Sequence, residues 1–251
     1  MSWTRTYDGV EPQRINKWLG QSGVCSRREA EGLIAEGLVS IDGEVVTDAG
    51  RKILSGQTLT LSDGATRALD AAVTIMLHKP VGYVSGQPEP DKIPAVRLLT
   101  AANATDGSPD IAADASLPPI GRLDEDSRGL LLLSSDGVVA KAVIGPESDL
   151  AKEYLVRVSG EVTERKLALL RHGLSLDGRT LKPAEVTQLK PRRLRFILRE
   201  GRNRQIRRMC ELVGLEVTDL KRTRIGPLAL GDLPEGRWRM LTADERKKLI
   251  G

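Results

Sequence analysis

A carboxylate-rich loop is the segment of this 251-residue chain best suited to chemistry. Asp124 and Asp126 lie between Gly121 and Gly129, and an apolar run, residues 130–133, follows at once. A loop that leads into a buried strand can present a side chain rigidly, and functional residues concentrate in such places. An ionised aspartate here could act as a nucleophile or a base. From spacing alone, a turn-forming aspartate is the commoner interpretation, and no His or further carboxylate lies at a spacing that would support a metal site.

Two further segments carry reactive or charged side chains. Tyr154 lies at the start of a predicted strand, where a half-buried core tyrosine is the ordinary interpretation. The segment GRNRQIRRM, residues 201–209, begins with a turn and continues into a helix that groups Arg204, Arg207 and Arg208. A solvated basic helix is the ordinary interpretation of that pattern. Neither segment defines a site by itself.

Positive charge is concentrated in two parts of the chain. The net charge is +4, from 38 Lys and Arg against 34 Asp and Glu. Residues 187–224 contain twelve Lys or Arg against four acids, and a second cluster comprises Arg14, Lys17, Arg27 and Arg28. Two such clusters favour a nucleic acid as partner, because each neutralised phosphate releases counterions. Aromatic residues make up only 3% of the chain, so contacts to phosphates should outweigh base stacking.

Composition excludes several classes of protein. The hydrophobic fraction of 40% and the charged fraction of 29% are typical of a globular chain. No apolar run approaches the roughly 20 residues of a membrane-spanning helix, and residues 1–14 lack an apolar signal segment. Cys25 and Cys210 are too few for a disulfide framework or a zinc site, and neither has a His nearby in sequence to activate it as a nucleophile. We therefore expect a cytoplasmic protein with no membrane partner.

The elements that must position these residues divide into two parts, and the first is a small α+β unit at residues 12–66. It contains a short helix at 14–20, and Ser26 with Glu29 predicts a capping box at the start of a second helix that ends at Gly37. The pair Asp42-Gly43 between two apolar runs predicts a β-hairpin, and residues 58–61 predict a third strand. Residues 64–72 are interpreted as a linker.

The second part is a larger domain at residues 72–251. It opens with a strand at 73–78, and short strand or helix patterns follow at 129–134, 138–144, 153–159, 164–172, 193–199 and 204–213. Strands separated by only one or two helices favour an α+β mixed sheet over a doubly wound α/β fold. Residues 86–119, rich in Pro, Ala, Asp and Ser, are interpreted as an exposed, partly mobile excursion.

Several of these motifs together resemble one enzyme family. The segment GRLDEDSRGLLLLSSDG, residues 121–137, resembles the signature of the A-type pseudouridine synthases, a family named for the small ribosomal subunit. The resemblance extends to LHKPVGYVS, KEYLV and EGRNRQIRRMCELVG followed by LKRTRIGPLAL. Upstream, RINKWLGQSGVCSRREAEGLIAEGLVSIDGEVV resembles an S4 domain, a small RNA-binding module. The segments CSRREA, RQIRRMC and KRTRI are most similar to the F-type branch, which modifies large-subunit ribosomal RNA, and the B-type branch is next.

The resemblance implies a fold, an activity and a set of site residues. It implies an S4 domain followed by a mixed-sheet catalytic domain that isomerises uridine to pseudouridine in structured RNA, 23S ribosomal RNA above all, with no cofactor or metal. Asp124 corresponds to the essential carboxylate, which attacks C1′ or removes a proton from C2′. Tyr154 corresponds to the tyrosine that packs against the target base, and Arg207 to the guanidinium paired with Asp124. Arg122 corresponds to the side chain that fills the place of the flipped base.

The remaining predicted contacts are to RNA, and some alternatives stay open. The basic residues expected to bind RNA are Arg14, Lys17, Arg27, Arg28, Arg202, Arg204 and Arg208. Several sister branches of the family carry His at the position of Arg204. We expect a monomer whose partner is ribosomal RNA, with tRNA as the other RNA considered. The alternatives are a catalytically inactive S4-type ribosome-associated protein, a synthase acting on tRNA or 16S ribosomal RNA, and a metal-dependent nuclease that uses Asp124 and Asp126.

Overall fold

The computed structural model describes residues 3–86, 90–108, 111 and 117–251. The chain divides into two compact units. The first is Met1–Thr74 with Ser134–Ala142 and Ile250, and the second is Ile75–Leu133 with Val143–Leu249 and Gly251. Each unit combines helices with a β-sheet, which confirms the predicted α+β class. No helix among the described residues is long and apolar enough to cross a membrane.

The first unit packs helices against an antiparallel sheet with the strand order β1-β6-β3-β4. Its strands are β1 Trp3–Thr6, β2 Gln13–Arg14, β3 Val39–Ile41, β4 Glu44–Val45, β5 Lys52–Ile53 and β6 Thr58–Leu61. Its helices are α1 Ile15–Ser22, α2 Arg27–Ala35 and α3 Asp63–Asp70. Ile15, Leu19, Ile34 and Leu59, from two helices and a strand, are fully buried in one core.

Local sequence signals in this unit act as predicted. Ser26 Oγ accepts a hydrogen bond from Glu29 N at 3.2 Å, and the Glu29 carboxylate accepts one from Ser26 N at 2.6 Å, so the capping box of α2 is confirmed. Asp42 and Gly43 both have positive φ, 51° and 88°, which a two-residue hairpin turn requires. The β3–β4 hairpin is therefore confirmed as well.

The linker predicted at residues 64–72 is wrong. Most of it belongs to α3, which begins after Ser62, whose Oγ accepts a hydrogen bond from Ala65 N at 3.2 Å. Ala65 is fully buried and Leu69 packs against the core. Alanine and leucine are strong helix formers, and an N-cap serine with one buried face is sufficient to order this short segment.

The second unit is built on a larger mixed sheet with the strand order β15-β16-β12-β17-β11-β7-β19, to which β10 and β18 add at β11 and β17. The strands are β7 Thr74–Lys79, β8 Tyr83–Val84, β9 Ile93–Pro94, β10 Pro119–Ile120, β11 Arg128–Ser134, β12 Lys152–Ser159, β13 Ser175–Leu176, β14 Arg179–Thr180, β15 Glu185–Lys190, β16 Arg193–Leu198, β17 Glu216–Ile225, β18 Leu228–Ala229 and β19 Trp238–Met240. The helices are α4 Gly137–Ile144, α5 Glu164–Arg171, α6 Gln205–Leu212 and α7 Ala243–Ile250, with 3₁₀ turns at Ala95–Leu98 and Ala101–Asn103. Because β11 and β17 run parallel while β12 is antiparallel to both its neighbours, the predicted mixed sheet is confirmed.

One face of this sheet carries the core of the second unit. Val156 and Val158 of β12 and Phe196 of β16 pack with Leu167 of α5 and Met209 of α6. Side chains alternate along a strand, so Leu155 and Arg157 of β12 point to the opposite face. Helices α5 and α6 therefore cover one side of β16, β12 and β17 and leave the other side exposed.

The prediction of an exposed excursion at 86–119 is wrong for part of that segment. Ala95 and Leu99 are 0% and 3% exposed, and the two 3₁₀ turns hold them in the fold. Residues 87–89, 109–110 and 112–116 lie outside the described residues. Small apolar residues between prolines gave no periodic signal, although they are buried as a compact turn.

Candidate active site

The Asp124 loop, which we define as residues 121–127, connects β10 to β11 and ends at a rigid strand. Leu130 to Leu133 of β11 are at most 1% exposed. Gly129, in β11, has φ 112°, and a Cβ there would lie 2.2 Å from the carbonyl oxygen of Arg222, its partner on β17. Only glycine allows this backbone conformation together with so close an approach. The loop therefore starts from a fixed point in the centre of the sheet.

A turn between β7 and β8 holds the Asp124 loop on one side. Ser85 Oγ donates to Leu123 O at 2.7 Å and accepts from Leu123 N at 2.8 Å. Gly82 N donates to Glu125 O at 2.9 Å. These bonds fix the backbone of the residues on either side of Asp124. No role was predicted for Ser85 from the sequence, although it belongs to the LHKPVGYVS segment.

Lys79, at the end of β7, is a fully buried cation beside the same turn. Its Nζ donates to Pro80 O and Tyr83 O, both at 2.7 Å. Burial lowers the pKa of Lys79 to about 8, and the negative charges of Asp126, Glu125 and Asp124 oppose that shift. Its charge thus adds positive potential behind the Asp124 loop. Lys79 was not predicted from the sequence to belong to the site.

Two arginines near the start of α6 hold the loop from the other side. Arg204, at the N-cap with φ 48°, donates to both carboxylate oxygens of Asp126, at 3.2 and 3.0 Å, and lies 3.8 Å from Asp124 Oδ2. Arg207, whose side chain is 10% exposed, donates to Asp126 O at 2.7 Å and to Ser127 Oγ at 3.3 Å. Its other terminal nitrogen donates to Val217 O at 3.1 Å.

The predicted pairing of Arg207 with Asp124 is therefore wrong in its partner. The ion pair of Arg207 is to Asp126 Oδ1, at 3.2 Å. Arg207 lies one helical turn deeper than Arg204 and reaches beneath the loop, whereas Arg204 reaches the aspartates from the more exposed side. The ion pair to Asp124 that was predicted for Arg207 is thus made by Arg204.

These contacts keep Asp126 ionised. Burial alone would raise the pKa of the Asp126 carboxyl, but hydrogen bonds from Arg204 and the charges of Arg207 and Arg204 lower it below its usual value. With three of its contacts made to arginine, Asp126 anchors the loop. Asp124, with a side chain 34% exposed, is the loop carboxylate that remains available to a substrate.

The predicted catalytic residues line a single pocket. A cavity of about 610 Å³ is lined by Asp124, Tyr154 and Arg207 together with Arg122 and Arg222. Tyr154 lies on β12 opposite Phe196 of β16, and it is half-buried against the core. The cavity volume lies in the range of small-ligand sites. The sequence segments that the resemblance connects are thus adjacent in the fold.

Arg222 is a pocket residue that sequence reasoning missed. It is 4% exposed, Nε donates to Leu130 O at 2.7 Å, and Nη1 lies 3.4 Å from Arg122 O. Its Nη2 has no hydrogen-bond partner among the described residues. A buried arginine with an unused donor beside a cavity can bind an oxygen of a ligand. The KRTRI segment contains it, but its basic neighbours offered no sign that one arginine is buried.

Several residues predicted to bind RNA have other partners in the structure. Arg202 donates to the carbonyl oxygens of Leu176, Arg179 and Thr180 in the β13–β14 hairpin, at 3.0–3.2 Å. Arg208 makes two hydrogen bonds to Asp177, at 3.0 and 2.6 Å. Both guanidinium groups therefore fasten α6 to that hairpin. Arg122 is exposed at the pocket, and its contact with RNA stays a prediction.

The N-terminal basic cluster is exposed on the first unit. Arg14 is the N-cap of α1, Lys17 lies on α1, and Arg27 and Arg28 begin α2. All four side chains are exposed, and no ion pair within 4 Å is recorded for them in the described part of the chain. This is the arrangement that a phosphate-binding surface requires.

Two other kinds of chemistry are disfavoured by the residues present. Cys25 and Cys210 are buried, and burial raises the pKa of each thiol to about 12, so neither forms a thiolate nucleophile. Within the described residues, no group of three or more His, Cys, Asp or Glu could hold a metal ion. The arrangement is a partly exposed carboxylate beside a tyrosine, held among arginines, and it is suited to nucleophilic or base catalysis on an anionic substrate.

Comparison with known proteins defines the class first. Residues 73–212 match the family model described as RNA pseudouridylate synthase, and residues 13–59 match the S4 domain. The chain belongs to the RNA pseudouridylate synthase family. The predicted family, the S4 domain and the class of enzyme are confirmed.

Individual relatives cover most of the chain. The dual-specificity RNA pseudouridine synthase RluF of Escherichia coli (strain K12) is 36% identical over 234 residues, which are 92% of this chain and 76% of that protein. Ribosomal large subunit pseudouridine synthase B of Bacillus subtilis (strain 168) is 35% identical over 243 residues, 94% of this chain and 95% of that protein. A crystal structure of a pseudouridylate synthase matches with a TM-score of 0.65 and 27% identity, over 94% of this chain and 99% of that one.

Proposed function

We propose that this synthase converts a uridine of structured large-subunit ribosomal RNA to pseudouridine, with Asp124 as the catalytic carboxylate and no cofactor. The observation that carries the proposal is the convergence of Asp124, Tyr154 and Arg207 on one pocket, although they come from a loop, a strand and a helix. RNA is the partner expected of the family and of the S4 domain.

The reaction needs only groups that this chain contains. The C1′–N1 bond of uridine breaks, the uracil rotates, and C1′ joins carbon 5, whose hydrogen leaves to solvent as a proton. Asp124 acts at the sugar, either on C1′ or on the proton at C2′. Tyr154 lies against the base and assists loss of the proton from carbon 5. Bond making balances bond breaking, so the step requires no oxidant, reductant or group donor.

The arginines around the loop keep the carboxylate charged and in place. A target base in the pocket excludes water from Asp124, and desolvation alone would favour its protonated form. Arg204, 3.8 Å from Asp124, opposes that change. Arg207 is a positioning residue, because it acts through the backbone and side chain of Asp126 and through Ser127.

Two further arginines are suited to hold the flipped nucleotide. The target must leave its stack to reach Asp124, and exposed Arg122 can fill the vacated place. Arg222 offers its unused Nη2 to a ribose or phosphate oxygen of the nucleotide in the pocket. Its fixed, buried guanidinium would orient the sugar towards the carboxylate.

The choice of RNA is supported by the relatives and by the N-terminal cluster. The Bacillus subtilis relative is named as a synthase of the large ribosomal subunit. We assign residues 12–66 to the S4 domain, whose exposed Arg14, Lys17, Arg27 and Arg28 bind RNA phosphates, and residues 72–251 to the catalytic domain. The enzyme acts as a monomer in the cytoplasm.

Pseudouridine mapping tests the proposal. Unmodified transcripts of 23S ribosomal RNA, 16S ribosomal RNA and tRNA are incubated with the enzyme or with Asp124→Asn, and pseudouridines are located by chemical sequencing. We expect modification at one or a few uridines of 23S ribosomal RNA with the wild type alone. Modification confined to 16S ribosomal RNA or tRNA would overturn the choice of substrate, and equal modification by both proteins would overturn the role of Asp124.

A metal-dependent nuclease is not supported by the contacts of the loop. Asp126, the second carboxylate such an enzyme would need, is held by two arginine side chains. A guanidinium repels a divalent cation from the oxygens it binds. RNA should therefore remain intact during incubation, with or without added Mg²⁺.

A further inference from the structure

The face of the main sheet opposite α5 and α6 carries a basic groove. We call it the reverse-face groove; it has a volume of about 310 Å³ and lies over β15, β16, β12 and β17. Its charged lining residues are five cations and one carboxylate, namely Arg128, Arg157, Lys190, Arg193, Lys221 and Asp219. Leu155 and Leu189, 39% and 49% exposed, provide its apolar surface.

The cations of the groove face one another with little compensation. Arg193 lies in register with both Arg157 and Lys190, and Arg128 lies in register with Lys221. Like charges directly opposite on neighbouring strands destabilise a sheet. Asp219 is engaged by Arg128 through two hydrogen bonds of 2.8 Å. No ion pair within 4 Å is recorded for the other four cations among the described residues.

The neighbouring charges also affect one lysine measurably. Burial and the positive charge of Arg128 lower the pKa of Lys221, and Glu235 and Asp219 oppose this shift. The groove thus holds cations at a cost to its own stability. A bound anion would relieve that cost, which is the behaviour expected of a binding surface and not of a solvated one.

We propose that the reverse-face groove binds the phosphate backbone of RNA at a site separate from the uridine pocket. The groove has no aromatic lining residue, so it cannot stack bases and would bind without sequence preference. Its arginines suit phosphate oxygens, and its leucines suit the apolar edge of ribose. The proposal rests on the chain acting on RNA, and it extends the RNA-binding surface beyond the proposed site.

The position of the groove implies something about the substrate. Tyr154 and Leu155 are neighbours on β12, yet the first lines the uridine pocket and the second lines the reverse-face groove. The sheet separates the two sites, so a short single strand centred on the target cannot reach both. The groove therefore holds a second segment of a folded RNA, and large structured RNA should bind more tightly than a minimal hairpin.

Salt-dependent binding of polyadenylate tests the groove directly, because this probe offers no uridine to the pocket. Arg157→Gln/Arg193→Gln/Lys221→Gln removes three groove cations from the full-length chain. The control, Arg165→Gln/Lys247→Gln/Lys248→Gln, removes three exposed cations from α5 and α7. The slope of log affinity against log salt should fall by about 2 in the groove variant, at roughly 0.7 per lost phosphate contact. A groove variant with the affinity and slope of the control would overturn the proposal.

Cross-linking provides a second measurement that does not depend on removing charge. Leu155→Cys places a thiol in the groove, and Leu169→Cys places one on α5 at similar exposure, 41% against 39%. Cys25 and Cys210 are buried, so a maleimide photo-cross-linker labels the introduced thiol. We expect polyadenylate to cross-link through the groove position and much less through α5. Equal or absent cross-linking at the two positions would contradict the proposal.

Two controls separate this proposal from its neighbours. Polyglutamate that binds as tightly as polyadenylate, and is lost in the same variant, would identify an acidic protein as the partner and overturn the RNA assignment. Pseudouridine formation in a minimal hairpin is measured in parallel and should be unchanged in the groove variant. Failure of that reaction in the wild type would count against the proposed function, whereas the polyadenylate result would still decide the groove.

Discussion

Arg207→Lys is the substitution that most sharply tests how the Asp124 loop is held. The two terminal nitrogens of Arg207 contact different elements. Nη1 donates to Val217 O of β17, and Nη2 donates to Asp126 O and Ser127 Oγ of the loop. A lysine keeps the charge but has one nitrogen, so it can reach only one of these two elements.

The magnitude follows from the contacts that are lost. A hydrogen bond from a charged donor is worth about 1.5–3 kcal/mol, and Arg207 is 10% exposed, so water replaces little of it. We expect the free energy of unfolding to fall by about 2 kcal/mol. A loop displaced by about 1 Å can cost about 100-fold in rate. Turnover should therefore fall roughly 100-fold, while RNA affinity stays within about threefold because phosphate contacts lie elsewhere.

The assay combines urea denaturation with single-turnover release of tritium from uridine labelled at carbon 5. Arg208→Lys is a matched control on the next residue of the same helix. Arg208 binds exposed Asp177 and is itself 31% exposed, so its replacement should change stability by less than about 1 kcal/mol. Its turnover should stay within about threefold of the wild type.

Two results would refute this reasoning. If Arg207→Lys retained wild-type turnover and stability, the contacts to Asp126 and Val217 would not hold the loop. If it lost stability but kept full turnover under conditions where it is folded, Arg207 would be structural only. A loss of turnover equal to that of Arg208→Lys would point to a general effect of α6.

Three further predictions concern the scaffold of the site. Ser85→Ala leaves the buried N–H and C=O of Leu123 without a partner, at about 1–3 kcal/mol each, so tritium release should slow about tenfold or more with unchanged RNA affinity; full activity would contradict this. Gly129→Ala forces a Cβ against Arg222 O at φ 112° and should lower the free energy of unfolding, measured in urea, by at least about 3 kcal/mol; a loss below about 1 kcal/mol would contradict the geometry. Unfolded lysine binds a proton that folded Lys79 has released between pH 8 and 10.5, so wild-type stability should rise with pH over that window relative to Lys79→Met, by up to about 1.4 kcal/mol per pH unit; parallel curves would contradict the lowered pKa.

Local rules predicted the parts of the fold that short segments decide for themselves. The capping box at Ser26, the turn at Asp42-Gly43 and the apolar run of β11 each depend on neighbours in sequence, and each formed where expected. The strand β17, Glu216–Ile225, was missed because its alternation of charged and apolar residues includes three cations and two acids. Its place in the middle of the sheet is set by pairing with β12 and β11, which are distant in sequence.

The candidate site divides in the same way. Asp124, Tyr154 and Arg207 were predicted through the family signature, and they line one pocket. Which arginine faces which aspartate was not predictable, because it depends on the depth of each residue on α6 relative to a loop about 80 residues away. The role of Arg222 was likewise hidden, since burial of a charged residue among basic neighbours leaves no mark in composition.

The measurement that most directly tests the central claim is tritium release by Asp124→Asn. Joining C1′ to carbon 5 must expel the hydrogen on carbon 5, so RNA labelled there releases tritium into water only if pseudouridine forms. Asparagine has nearly the same shape as aspartate but cannot act as a carboxylate nucleophile or base. We predict that the wild type releases label without added metal or cofactor. In Asp124→Asn the rate should fall by several powers of ten, on the order of 5 kcal/mol in the barrier, with RNA binding retained. Release by the variant within tenfold of the wild type would contradict the account.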